Sequence, residues 1–145
     1  DWPELLAPIR DPVFALAVGE TSAVLEAPFG WVIARRCPTE LVHTRHVLVR
    51  YAGARNAGSE ITRTRDEAHA AATAILAELR GGGDFASVAR ERSEDGSAER
   101  GGDMGSVGRG RFEPEYERAA FEAEPGDIVG PIETAFGFHV IERLE

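Results

Sequence analysis

Two histidines stand inside strand-like apolar runs: His46 in Thr44-Arg45-His46-Val47-Leu48-Val49, and His139 in Phe136-Gly137-Phe138-His139-Val140-Ile141. A polar imidazole among apolar strand residues costs free energy unless it is hydrogen-bonded. Either histidine alone would ordinarily be a satisfied core residue; two together point to each other as partners, and to a buried polar pair that orients something beside it. The strands lie 93 positions apart (139 minus 46). Only a closed domain of about 100 residues brings them together, which is an ordinary domain size.

The elements that must position this pair are readable in the chain. Residues 43–49 alternate as a strand, and 50–62, with Gly53, Asn56 and Gly58, have loop composition. Thr64-Arg65-Asp66-Glu67 fits a capping box. The helix it opens carries Ala68, Ala72, Ile75, Leu76 and Leu79 at helical spacing and stops at Gly81-Gly82-Gly83. Asp84 can cap a shorter helix with Phe85, Val88 and Ala89 inward. Residues 93–103 read as a loop with at most one turn, and Met104–Val107 as a brief strand. Pro114 suits the first turn of a helix to about Phe121. After Pro125-Gly126, residues 128–133 and 137–143 read as a closing hairpin. The expected class is α+β on an antiparallel sheet.

Composition narrows the function. A formal charge of -9 argues against nucleic acid as a partner. No apolar run reaches the ~18 residues that span a membrane. The single cysteine, Cys37, excludes an intrachain disulfide and a cysteine metal cluster and leaves the compartment open. All sixteen basic residues are arginine, which reads as a coding bias.

Residues 43–145 resemble the parvulin-type (PpiC-like) peptidyl-prolyl cis–trans isomerases. The blocks that carry the match are Arg45-His46-Val47-Leu48-Val49, Asp84-Phe85 with Ala89 and Ser93, and Gly102-Asp103-Met104-Gly105. They continue with Gly110, Phe112, Tyr116 and Phe121, then Gly126-Asp127 through Gly130-Pro131, and finally Phe136-Gly137-Phe138-His139-Val140-Ile141. Their order and spacing together are specific. The resemblance implies a parvulin-like (FKBP-like) fold with a four-stranded antiparallel sheet and about four helices over 41–145. It also implies rotation of X–Pro bonds in polypeptides, in aid of protein folding, with no metal or cofactor. A bacterial-type member is slightly favoured to lie outside the cytoplasm.

By position, His46 and His139 match the family's paired histidines, and Asp95 falls where members have cysteine or aspartate. Thr134 matches a hydroxyl residue bonded to the pair, and Met104, Phe112 and Tyr116 match the pocket for the substrate proline. Phe136 departs from the serine some members have. Arg50 and Arg55 match basic positions of the phospho-directed subclass, which makes binding of phosphate or an acidic side chain an expectation there. Asp95 could equally be a turn residue, and His43 and His69 read as solvent-facing.

The implied reaction needs no nucleophile. Twisting an amide costs ~18–20 kcal/mol because resonance is lost. The catalyst must therefore bind the twisted form better than either planar one. Lowering the barrier by ~7 kcal/mol would accelerate it roughly 10⁵-fold. The rival reading is a parvulin-fold chaperone that holds unfolded segments with negligible turnover.

Residues 14–36 repeat residues 121–143 without a gap, at a constant offset of 107. Phe14 matches Phe121, Gly19 Gly126, Glu26 Glu133, Phe29-Gly30 Phe136-Gly137, Trp31 Phe138, Ile33 Val140 and Arg36 Arg143. Such self-similarity signals duplication. Segment 1–40 is therefore expected to be the last third of a second parvulin domain, with Val32 in place of the histidine. A lone hairpin is marginal. Phe14, Trp31 and Ile33 are accordingly expected to dock on an apolar face, with a homodimer through residues 1–40 favoured.

Overall fold

The computed structural model describes residues 2–37 and 40–145; Asp1, Pro38 and Thr39, within the expected segment 1–40, lie outside them. The chain divides into two compact units, Asp1–Thr39 and Glu40–Glu145. In the smaller unit a helix, α1 (Trp2–Ala15), precedes a short antiparallel hairpin of β1 (Leu25–Ala27) and β2 (Gly30–Val32). A single bridge between Thr21 and Arg35 extends the hairpin.

The larger unit runs β3 (Leu41–Val49), α2 (Arg65–Arg80), α3 (Phe85–Arg92), a 3-10 turn at Ala98–Arg100, and β4 (Asp103–Gly108). It ends with α4 (Pro114–Glu122), β5 (Ile128–Thr134) and β6 (Gly137–Arg143). All four strands are antiparallel neighbours in the order β4-β3-β6-β5. This is the expected α+β architecture, and its two histidine strands are the central pair.

Local chemistry sets the helix starts. At α2 the Thr64 hydroxyl accepts from the Glu67 N–H at 3.2 Å, and the Glu67 carboxylate accepts from the Thr64 N–H at 2.7 Å. The two bonds satisfy free donors of the first turn reciprocally. The Asp84 carboxylate does the same for α3 by accepting from the Ser87 N–H at 2.8 Å. Proline at the first turn of α4 lacks the N–H that would otherwise go unpaired.

Strand alternation then splits the core in two. Val47, Val49, Phe138 and Val140 face one side and pack with Ala72, Ile75, Leu76 and Leu79 of α2 and with Phe85 and Val88 of α3. Val47 and Val140 are fully excluded from solvent, each worth ~1.5–3 kcal/mol on burial. On the other face Val42 and Ile141 pack with Tyr116 and Ala120 of α4. His46 and His139 alternate with the first set, so both look toward α4.

One expectation fails here. His43 is half-buried, with its Nε2 2.8 Å from Asp103 Oδ1, rather than facing solvent unpartnered. The carboxylate comes from β4, 60 positions away, where strand reading cannot see it.

The smaller unit repeats the closing part of the larger one bond for bond. Gly19 N–H donates to Arg36 O at 2.6 Å, as Gly126 N–H donates to Arg143 O at 2.7 Å. The Arg36 guanidinium reaches Phe14 O and Leu16 O at 2.8 and 2.6 Å, and that of Arg143 reaches Phe121 O and Ala123 O at 3.3 and 2.7 Å. The turn glycines Gly30 and Gly137 have φ of 135° and 138°, a region open only to glycine. Burial differs sharply. Trp31 and Ile33 are 72% and 65% exposed, whereas Phe138 and Val140 at the matching positions are 3% and 0% exposed. Phe14 is exposed as well, at 71%.

Candidate active site

The register of the central strands makes the site. His46 lies opposite Ile141, and His139 lies opposite Leu48. Residues opposite one another share a face, so the histidines are diagonal neighbours on it, within reach of two rings. Their Nδ1 atoms are 3.2 Å apart and both side chains are buried. Gly102 lets the chain after the 3-10 turn close on β3. Its carbonyl accepts from the His46 N–H at 2.9 Å, and a Cβ on it would stand 2.2 Å from the His46 carbonyl oxygen.

A polar chain extends from both rings. Thr134, on β5, places Oγ1 2.8 Å from His139 Nε2 and accepts from the Phe136 N–H at 3.1 Å. At the other end Asp95 Oδ1 lies 3.1 Å from His46 Nε2. That contact is bent away from the N–H axis, and the buried Nε2 has no better-aligned partner among the described residues. Asp95 Oδ1 also accepts from the Ser97 N–H and hydroxyl at 2.9 and 2.5 Å. Asp95 is thus both the turn residue and a member of the polar chain.

These contacts bias charge. His46, with help from Ser97, holds the Asp95 carboxyl well below the usual carboxylate range. Burial pushes His139 down to about 3, and the neighbouring His46 adds to it. The Asp95 oxygen 3.1 Å away favours the tautomer with the proton on His46 Nε2. For a neutral His46 the rest follows: His139 Nδ1–H donates to His46 Nδ1, and the Thr134 hydroxyl donates to His139 Nε2.

Apolar rings complete the cleft. Tyr116, on α4, sits edge-on to both imidazoles at 5.6 and 5.3 Å, and Phe112 packs on it at 4.6 Å. The Tyr116 hydroxyl is 3.2 Å from Thr44 Oγ1, and burial raises its pKa, so the ring is neutral. The cleft is about 480 Å³, within the range of ligand sites. His46, Asp95, His139, Thr134, Met104, Phe112 and Tyr116 all line it, together with Arg50.

Arg50 and Arg55 are otherwise engaged. The Arg50 guanidinium donates to the carbonyls of Glu94, Arg55 and Asn56, tying down the loop after β3. Arg55 pairs with Glu113 at 2.9 Å and lies over the Phe136 ring. Sequence reading did not single out Leu48, Arg111 or Glu113, which also line the cleft. Leu48 was visible as the same-face neighbour of His46; the other two lie in irregular chain that carries no period.

Comparison with known proteins bears on this geometry. The family model described as a PPIC-type PPIASE domain matches residues 32–145. The chain belongs to the PpiC-type parvulin family of peptidyl-prolyl cis–trans isomerases. Among its relatives, the chaperone SurA of Burkholderia lata is 38% identical over 102 residues, 70% of this chain and 21% of that protein. SurA of Nitrosospira multiformis is 31% identical over 152 aligned positions, covering 98% of this chain and 31% of that protein. The parvulin chain thus spans about a fifth to a third of the length of these relatives. Among solved structures, the peptidyl-prolyl isomerase ESS1 from Candida albicans superposes with a TM-score of 0.66 at 30% identity, covering 72% of this chain and 63% of that one. The parvulin fold expected from the residue blocks is therefore established, with the extra hairpin in front of it.

Proposed function

We propose that this parvulin domain isomerises X–Pro bonds in the cleft, with Met104, Phe112 and Tyr116 gripping the proline ring and Thr134, His139, His46 and Asp95 framing the amide. The observation that carries the reading is the meeting of an apolar floor and a row of polar groups, Thr134, His139, His46 and Asp95, in one cleft of about 480 Å³. A planar amide is charge-separated and prefers fixed polar partners; a twisted one is not. An apolar floor and a neutral His139 do not reward the planar form, so the ring grip favours rotation. The histidines orient and support, since no proton moves.

A protease-coupled assay on peptides with Glu, Leu or phosphoserine before proline tests this. The expected result is acceleration above the uncatalysed rate. Met104→Ala and Phe112→Ala should each lose about tenfold or more, since ~1.4 kcal/mol of lost grip is one factor of ten. Absence of acceleration on every peptide would leave the second reading, a chaperone-type binding module assisting folding. That reading is favoured by the SurA relatives and by the exposed Phe14, Trp31 and Ile33.

For segment 1–40 we infer a partial parvulin repeat, the closing third of a fold without its front. The shared hydrogen bonds support this, and Val32 at the position of His139 leaves the repeat without the pair. Its finer form is a homodimer in which a second copy covers the exposed side chains.

A further inference from the structure

Strand β3 carries His46 and an edge that β4 covers only in part, from Leu41 to Arg45. Beyond that point the edge N–H groups still need acceptors, and irregular chain supplies them. The His46 N–H donates to Gly102 O at 2.9 Å, the Leu48 N–H to Ser93 Oγ at 3.1 Å, and the Arg50 N–H to the Glu94 carboxylate at 2.6 Å. The Glu94 N–H donates back to Leu48 O at 2.9 Å. Asp95 therefore follows directly on two residues bonded to β3.

Glu94 makes the widest set of these contacts. One carboxylate oxygen takes the Arg50 N–H, and the other takes the Arg63 guanidinium at 2.7 Å. Arg63 also donates to Arg50 O at 3.2 Å, and Arg50 Nε to Glu94 O at 3.1 Å. Arg50 in turn holds the carbonyls of Arg55 and Asn56. Glu94 thus fastens together the edge of β3, the loop that follows it and the turn that bears Asp95. The two adjacent carboxylates have different surroundings: Asp95 lines the cleft with Oδ1 3.1 Å from His46 Nε2, while Glu94 is half-buried between Arg50 and Arg63. Ser97 orients the Asp95 carboxylate within its own turn. The turn itself is tied to β3 at Ser93, Glu94 and Gly102.

We propose that Glu94, clamped by Arg63, is a positioning residue for the isomerase: it sets where Asp95 stands relative to His46, and so the polar frame of the cleft. The inference rests on the isomerase reading of that cleft. A carboxylate that accepts from both a backbone N–H and a guanidinium makes charge-assisted, directional bonds, which suit it to hold a neighbouring group in place.

The test measures kcat and KM on one Leu–Pro peptide for the wild type, Glu94→Ala, Glu94→Gln, Asp95→Asn and the double variant Glu94→Ala/Asp95→Asn. The ring-nitrogen NMR shifts of His46 are recorded for each folded protein. Loss of an interaction made only with the twisted amide lowers kcat and leaves KM in place. The expected kcat of Glu94→Ala is about tenfold lower, since a misplacement of ~1 Å can cost up to about a hundredfold. Glu94→Gln keeps an acceptor for the Arg50 N–H, should lose less, and keeps the test open if Glu94→Ala does not fold. The double variant should be no slower than Asp95→Asn alone, because groups acting as one unit are not additive. The His46 shifts should move the same way in Glu94→Ala as in Asp95→Asn, a change that mere loss of stability would not produce in the folded protein. Losses that multiply in the double variant, full kcat in the folded Glu94 variants or in Asp95→Asn, or unmoved His46 shifts overturn the proposal. No turnover by the wild type strikes at the isomerase reading instead, and takes the proposal with it.

Discussion

At the residue scale, burial moves His139 well below its solution range. In the unfolded chain it titrates near its ordinary 6.5, and folded near 3. Between those values the unfolded state binds the proton and the folded state does not, so stability rises with pH there. The contribution is complete above about 6.5 and is lost as pH falls toward 3. The slope is at most about 1.4 kcal/mol per pH unit. Asp95 acts with the same sign, but only as pH falls below its ordinary 3.8. Urea midpoints at pH 7.5, 6.0 and 5.0 should therefore fall in the wild type and fall less in His139→Asn. Equal slopes for the two proteins would mean that burial does not hold the ring neutral.

At the scale of elements, the site depends on helices that never touch it. The Thr64–Glu67 box starts α2, and α2 packs on the sheet face opposite the cleft. Thr64→Ala removes the hydroxyl that accepts from the Glu67 N–H, leaves the backbone N–H bond to the Glu67 carboxylate, and should cost about 1 kcal/mol of stability. Turnover on X–Pro peptides should not change, since the cleft face is untouched. Chemical denaturation with a parallel assay checks both halves; lost activity at full stability would show α2 coupled to the site. This box was legible because its four residues are contiguous. So were the α3 cap and the closing hairpin. The register was not: His46 opposite Ile141 brings the imidazoles together, and one residue of slip would turn one of them to the other face.

For the whole molecule, the two units make different demands. The larger one has its own core on both sheet faces, so residues 40–145 produced alone should fold and accelerate X–Pro isomerisation at the rate of the longer chain. The smaller one leaves Phe14, Trp31 and Ile33 at 65–72% exposure, surface that rewards any cover by ~1.5–3 kcal/mol per side chain on full burial. Light scattering on the full chain should then show a dimer that reverts to monomer when residues 1–39 are removed. Monomers in both cases would remove the dimer and leave the partial repeat. Slower turnover by residues 40–145 would show that the first unit serves the site.

What the amino-acid sequence determined by itself was whatever rests on local order: the strand around each histidine, the caps at Thr64 and Asp84, the ungapped repeat at offset 107, and the residue blocks of the parvulin family. Side-chain type and short spacing carry those. The tertiary structure alone decided which charges meet. Glu113 takes Arg55 from 58 positions away, loop carbonyls take Arg50, Asp103 takes His43, and Arg111 has no partner among the described residues. Long side chains find partners by where loops close in space. A loop has no period from which that closure could be read.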